Sequence, residues 1–455
     1  MKYIVGFGLV LAVGCGKINA SSSDAGEPDA NLMGTASVVT QNHVAGAGMI
    51  GSAAANISVF SLRPNSSMLD MQTTDTNGTG SLMIYPGGSV TAVYPHQLDN
   101  GGTAGSMQGA DLVTFDGVNT GDALTFGTRF SQPVGTAIGN VTISFPNEGI
   151  EPLENFVYTP CGERSVFMFP VSVPVYAWCA SSPWEVSSFQ VSFGGPQQQY
   201  YGSASTTLTN NGGSLTGTYG ASHVVAASIA GLPAEVTSAG FNLAGVINPS
   251  VFGDNVTQPF TSMTTLGSGA TAGTATANIP AFVNGDQYQG QATISRNPNF
   301  GSTSIYQMVP TSATTWSVGT IAPPPWLNGH QYFSTEAKAE WAIDSTAGAS
   351  TFDGIVVVVA WSHTTIVNGS NITVPYTWTF ILPPTATSVK LPTLPAPFAT
   401  MAPLPDTDGV NATVTLVEFP SVNGYDALRA VPERDIVCPD CAVRAGDMTS
   451  AIINQ

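Results

Sequence analysis

Ile355-Val-Val-Val-Val-Ala-Trp361 is the strongest strand signal in the chain. An unbroken apolar run of this kind suits a strand buried on both faces, because a strand with one wet face alternates instead. The stretch after it does alternate. From Asn371 to Leu382, Ile372, Val374, Tyr376, Trp378, Phe380 and Leu382 fall on one face, with Thr373, Thr377 and Thr379 opposite. A period of two belongs to a pleated strand, not a helix. Weaker versions recur in Asn56-Ile-Ser-Val-Phe60, Val141-Thr-Ile-Ser-Phe145 and Ala412-Thr-Val-Thr-Leu-Val-Glu-Phe419. The expected fold is all-β, with several β-sandwich modules in tandem.

Composition points the same way. Charged residues are only 9% of the 455, against about 25% in typical soluble domains. Polarity is carried by Ser, Thr, Asn, Gln and 49 glycines, which suits half-buried strands and turns better than helices. A hydrophobic content of 43% is enough to bury cores, so the chain is not expected to be disordered. At about 150 residues per domain the length allows three domains, and sandwiches of about 100 residues allow four. The formal net charge is −18, with Lys and Arg scattered singly. Such a field repels a phosphate backbone, so nucleic-acid binding is not expected. Adhesion to a membrane through basic residues is not expected either.

Turn residues mark the module boundaries. The first module covers residues 33–132, and its clearest part is Thr73-Thr-Asp-Thr-Asn-Gly78, Ser81-Leu-Met-Ile-Tyr85, Pro86-Gly-Gly88 and Val90-Thr-Ala-Val-Tyr94. Asp-x-Asn-Gly is a turn signal, and two short runs split by Pro-Gly-Gly predict a hairpin. Together with Gly34-Thr-Ala-Ser-Val-Val-Thr40 upstream, this passage resembles carboxypeptidase-regulatory-like (transthyretin-like) domains. The resemblance implies an accessory, non-catalytic β-sandwich. A second sandwich, residues 139–221, carries Cys161, Cys179 and Val166-Phe-Met-Phe-Pro170, where Pro170 and Pro174 place the segment at an edge or bulge rather than mid-sheet. Short strands between Gly, Asn and Pro turns fill residues 222–296. Residues 297–384 hold the two stretches quoted first, whose Trp and Tyr patterning resembles fibronectin type III or immunoglobulin-like sandwiches. A Pro-rich connector, one more strand and a tail with Cys438-Pro-Asp-Cys441 make up residues 385–455.

The start of the chain has another character. Lys2 precedes an apolar run from Ile4 to Val13, and Ala12-Val13-Gly14 leads into Cys15. That order is the one a secretory signal needs, and the run falls short of the about 20 apolar residues that span a bilayer. The small residues before Cys15 resemble a bacterial lipobox, with Ala12 where such boxes usually carry Leu. The resemblance implies removal of residues 1–14, acylation of Cys15 and attachment to a membrane through the acyl chains. Residues 15–32, with Ser21-Ser-Ser23, Asp24, Glu27 and Asp29, then read as a solvated acidic tether. Gly16 stands where many Gram-negative lipoproteins carry an Asp that retains them at the inner membrane. The implied location is the outer membrane or the cell surface.

With Cys15 lipidated, Cys161, Cys179, Cys438 and Cys441 remain, and an even number in an exported chain predicts disulfides. Three connectivities are possible, and the sequence-local one, Cys161–Cys179 with Cys438–Cys441, is preferred. The five histidines, His43, His96, His223, His330 and His363, are isolated in sequence. No metalloprotease, nucleophile-elbow or phosphate-loop motif occurs. Asp406-Thr-Asp408-Gly resembles the opening of a calcium loop without its closing Glu, which leaves Asp406 and Asp408 as weak calcium candidates. No cofactor is expected.

Aromatic residues sit beside polar ones in Pro183-Trp184-Glu185, Gln197-Gln-Gln-Tyr200-Tyr201 and Pro325-Trp326-Leu-Asn-Gly-His330. Exposed rings next to amides can stack on sugars, which makes Trp184, Tyr200, Tyr201 and Trp326 candidate glycan contacts. The competing and preferred reading is that each ring closes the end of a core. The function expected is a non-catalytic cell-surface lipoprotein with a structural, adhesive or ligand-binding role. Its partners would be the membrane and a glycan or another surface protein. The alternative, a secreted surface hydrolase with accessory β-sandwiches, requires a cleft that joins a histidine to carboxylates.

Overall fold

The computed structural model describes residues 33–42, 52–97, 108–128, 136–148, 151, 153–180, 183–192, 198–232, 236–246, 256–264, 271–280, 287–295, 302–310, 312–318, 325–344, 352–367, 370–405, 408–437 and 448–454. Cys15, the tether, Asp406, Cys438 and Cys441 lie outside them. The fold is all-β, and the described strands form six sheets with no barrel among them.

The largest sheet has twelve strands. One half, in spatial order, is Val256–Thr264, Ser238–Val246, Gln287–Ser295, Ser302–Pro310, Met448–Asn454 and Asn411–Glu418. The other half continues through Gly354–Val367, Ser370–Leu382, Gln108–Val118, Gly88–Gln97, Ser58–Leu62 and Met68–Thr73. Neighbours are antiparallel except where Ser370–Leu382 runs parallel to Gln108–Val118, with Trp378 beside Leu112. Strands from the beginning, middle and end of the chain thus share one hydrogen-bonded surface.

The Ile355–Trp361 run lies well inside that sheet and is covered on both sides. Ile355, Val357, Val359 and Trp361 enter one core, while Val356 enters the core on the opposite face with Val358 at its margin. On the Val356 side lies a four-stranded sheet of Gly34–Asn42, Ser52–Ala53, Thr79–Ile84 and Ala123–Thr128. It packs Val38, Leu82 and Phe126 against Phe115, Ile381 and Val417. On the Ile355 side, Leu327–Phe333, Lys338–Ile343 and Ser388–Lys390 form a small sheet over Trp378 and Phe380. The Pro-rich segment is more than a connector. Leu391 and Leu394 are buried there, Ala396–Met401 forms a 3-10 turn, and Phe398 stacks on Phe60 at 6.2 Å.

Pro86-Gly87-Gly88 does not make the expected hairpin. Thr79–Ile84 pairs with Gly34–Asn42, whereas Gly88–Gln97 pairs with Ser58–Leu62 and Gln108–Val118. The turn therefore carries the chain from one sheet of the sandwich to the other. Leu82, Ile84, Val90 and Ala92 all reach the same core from opposite sheets, which buries more apolar surface than side-by-side pairing would. Gly88 is required there, since a Cβ would lie 2.5 Å from the Leu62 carbonyl oxygen. The Asp75 turn forms as expected, with the Asp75 carboxylate accepting the N–H groups of Asn77 and Thr79.

A second sheet has the order Gly162–Val166, Leu153–Thr159, Trp184–Ser192 and Gln198–Thr206, and its two central strands are also buried on both faces. Val157, Trp184 and Val186 face a three-stranded sheet of Val171–Val175, Gly139–Ser144 and Gly213–Thr216. The Cys161–Cys179 disulfide braces this core. Phe156, Phe189 and Tyr201 face a core shared with the long sheet and with the sheet of Ala272–Pro280, Ser222–Ala230 and Thr315–Val318. Val171–Val175 lies at a sheet edge, as Pro170 and Pro174 require.

Paired strands or shared cores cross each boundary expected near residues 132, 221, 296 and 384. The sandwiches interlock. Beyond Val431 the described residues are built into the fold. Glu433, Arg434 and Asp435 are buried in the helix Glu433–Val437, and Met448–Asn454 pairs with Ser302–Pro310 and Asn411–Glu418.

Candidate functional site

The hairpin Leu327–Phe333 and Lys338–Ile343 pairs His330 with Trp341, Gln331 with Glu340 and Tyr332 with Ala339. Residues directly opposed in an antiparallel pair share a face. Trp341, Ala339 and Tyr332 pack into the core beneath, so Gln331 and Glu340 point away from it. With Asn328, His330 and Phe333 they line an open depression of about 380 Å³. The Lys338 ammonium is bonded to the Glu340 carboxylate, and His330 Nε2 sits 2.6 Å from the Ala412 carbonyl oxygen. Two amides, a carboxylate and a phenyl ring thus meet at the solvent-facing depression, while the imidazole shares the face of Trp341 and is tied to the long sheet beneath.

The four rings expected as glycan contacts are placed differently. Trp184 is fully buried, and its indole N–H donates to the Cys179 carbonyl at 3.2 Å. Trp326 lies in the core beside Phe241 and Trp316, and Tyr201 is buried with its hydroxyl 3.0 Å from Ser187 Oγ. These three rings close cores and present no face to a sugar. Tyr200 is half-buried, 5.9 Å from the ring of Tyr219. The physical reason is size, since a large ring stabilises most when its whole surface leaves water. What the segment after Trp326 does supply to the surface is its polar half, Asn328 and His330.

The fold also joins polar groups that are far apart in sequence. His363 Nε2 lies 3.0 Å from Asp408 Oδ2 and 3.1 Å from the Ala402 carbonyl oxygen. The imidazole is 4.8 Å from the Tyr376 ring, which stacks on Trp361 at 5.8 Å. Burial and then the Asp408 charge push the Tyr376 phenol above its ordinary pKa. Asp408 Oδ2 also accepts the Leu404 N–H at 2.6 Å. Asp408 thereby holds the Pro-rich segment to the sheet, a structural use of a residue proposed for calcium. Among the described residues, no group of three or more side chains is placed to hold a metal ion. A histidine held by a carboxylate is one part of a hydrolytic constellation. The partners of His363 among the described residues are a carboxylate, a carbonyl and a ring.

Other carboxylates bind backbone. Asp353 accepts the N–H groups of Phe419 at 2.9 Å and Gly424 at 2.8 Å, fixing the turn after Asn411–Glu418. Beside it, burial and the charge of Asp353 push the Glu418 carboxyl up to about 7. Glu433 accepts the Gly127 N–H at 3.0 Å and so covers the outer edge of Ala123–Thr128. Arg429 is buried between Asp122 and Asp426, at 2.9 Å from each, with its guanidinium 5.0 Å from the Tyr425 ring centre. Apart from Asp426 and Arg429, which stand three residues apart, no local spacing announces these pairs.

Comparison with family models and with curated sequences finds no match. Among solved structures, the Bacillus anthracis TIE protein is similar to 63% of this chain at 11% identity and a TM-score of 0.14. The match covers 49% of that protein, about half its length.

Proposed function

We propose that this chain is a non-catalytic surface protein, held to the outer membrane or cell surface through an acylated Cys15, that binds glycans on the exposed face of the Leu327–Ile343 hairpin. The open depression carries this reading, because Asn328, Gln331 and Glu340 can hydrogen-bond hydroxyls while Phe333 offers a ring for stacking. The other clusters of ionisable groups are engaged by backbone or by one another, which suits scaffolding better than turnover.

A soluble form beginning at Asn31 would be passed over immobilised cell-wall glycans and extracellular polysaccharides, beside a Gln331→Ala, Phe333→Ala double variant. Retention of the parent and loss in the variant is the expected result. If neither is retained, the glycan reading fails and a structural or protein-binding role takes its place. Attachment has its own test. Mass spectrometry of the full chain should show acyl groups that Cys15→Ser removes, and an unmodified Cys15 would overturn the anchor.

The second reading, a surface hydrolase, rests on His363 and Asp408. Turnover of model esters or glycosides that His363→Ala abolishes would establish it, and no turnover would set it aside.

A further inference from the structure

Two features of the surface complement each other. The first is convex. Between Gly162–Val166 and Val171–Val175 the chain turns through Phe167 and Met168, which are 91% and 69% exposed. The turn is firmly based: Cys161 and Cys179 bridge it, Phe169 packs 5.6 Å from Phe145, and Asn155 Nδ2 donates to the Phe167 carbonyl. Two adjacent large apolar side chains held in water on a braced turn are unusual, since exposed apolar residues are normally scattered. The side chains around this tip are mainly acidic. Glu154 precedes Asn155, which pairs with Val166, and the Glu148 N–H donates to Gln190, the partner of Asn155 on the other side. Glu148, Glu154 and Glu163 are exposed on these strands, against Arg164 among the described residues.

The second feature is concave. Met68, Leu391, Leu394 and Pro395 line a groove of about 530 Å³ between the Asn65–Ser67 turn and the Pro-rich segment. Two cations flank it, in a chain with only 11 Lys and Arg against 29 Asp and Glu. Lys390 borders the groove directly, next to a Lys338 that is already paired with Glu340. Arg63 reaches the same turn, with its backbone N–H on the Ser67 carbonyl at 2.9 Å and its guanidinium on Ser67 Oγ at 3.4 Å. Phe167 is too exposed to occupy the groove of its own chain.

We propose that the Phe167–Met168 tip of one copy enters the Met68–Leu391–Leu394 groove of a second copy, so that copies of this chain associate head to tail. The apolar tip rests on Met68 and Pro395 in a groove whose other wall is the polar Asn65–Ser67 turn, and the glutamates beside the tip meet Lys390 and Arg63. Opposite charges on the two rims fix the direction of the contact and disfavour tip-to-tip or groove-to-groove pairing. A contact between different patches leaves a free tip at one end and a free groove at the other, so it builds open chains or rings. Two side chains and a rim fall below the about 1,200 Å² of a stable interface, so association is weak and needs crowding, as on a surface.

The test is sedimentation equilibrium of the chain without residues 1–15, which keeps every described residue. The average mass of the parent should rise with concentration past that of a dimer. A tip variant, Phe167→Ser with Met168→Ser, and a groove variant, Met68→Glu with Lys390→Glu, should each remain monomeric. Mixed in equal amounts, the two variants should give dimers and nothing larger, because one intact tip finds one intact groove. All four substituted side chains border solvent, and circular dichroism would confirm that both variants fold. A parent that stays monomeric at about millimolar concentration overturns the proposal, as does a groove variant that still associates or a mixture that does not. The readout is mass alone, so it stands or falls separately from the glycan test.

Discussion

Glu418 closes the strand Asn411–Glu418 beside Asp353, and its carboxyl is raised from an ordinary 4.5 to about 7, by burial first and by the Asp353 charge second. Between those two values the folded chain holds a proton that the unfolded chain has released. The stabilisation is complete below the unfolded value and is lost as pH rises through about 7. Solvent still reaches the group, so the effect is on the order of 1 kcal/mol. Tm should fall between pH 5 and pH 8, and Glu418→Gln should flatten that fall; an identical fall in both proteins would rule the pair out as its source. Trp184 gives a second prediction at this scale. It is fully buried, so Trp184→Ala should cost about 3–5 kcal/mol in denaturant unfolding, with no need to invoke a lost ligand contact. That Trp184 and Trp326 are large and apolar was legible in the sequence. Which side of the surface they occupy was not, because turn residues flank buried and exposed rings alike.

At the scale of elements, local chemistry and tertiary demand part company at the turns. Asp75-Thr-Asn-Gly78 forms its turn from within, through side-chain bonds to the next residues. Pro86-Gly87-Gly88 supplies a turn as well, yet its direction is set by the core that Leu82 and Val90 both enter. Gly88→Ala should therefore lower stability by about 1–3 kcal/mol, as the added methyl meets backbone at Leu62 and Tyr85; an unchanged unfolding midpoint would show the turn to be adaptable. The Cys161–Cys179 bridge closes a loop with a sequence separation of 18, and replacing both with Ser should cost about 3 kcal/mol by thermal unfolding. Edges are managed by side chains. Asp70 takes the Met83 N–H at 2.9 Å and Gln72 reaches the Ser81 carbonyl, so Met68–Thr73 and Thr79–Ile84 close the corner of the sandwich. An edge blocked in this way is not a template for another strand.

For the whole molecule, the long sheet decides the behaviour. Gln108–Val118 pairs with Ser370–Leu382, and Phe115 shares a core with Val356, Val417 and Phe419. Residues 33–132 alone would leave that face in water. Expressed by themselves they should show no cooperative unfolding transition, whereas a stable fragment would mean that the shared face contributes little. Turn residues recur at sandwich-like intervals and so point to sandwiches in tandem, but nothing in a linear pattern shows which strand becomes the neighbour of which.

By itself the sequence determined the all-β class and the doubly buried Ile355–Trp361 strand, kept the Pro170–Pro174 segment out of mid-sheet, and favoured Cys161–Cys179 among three connectivities. Each follows from local periodicity, missing backbone donors or short loop closure. Only the tertiary structure decided that the sandwiches interlock, that Trp184 and Trp326 are core, and that His363 meets Asp408 while Glu418 meets Asp353. Those outcomes depend on contacts between residues distant in sequence, where burial of shared apolar faces outweighs any local signal.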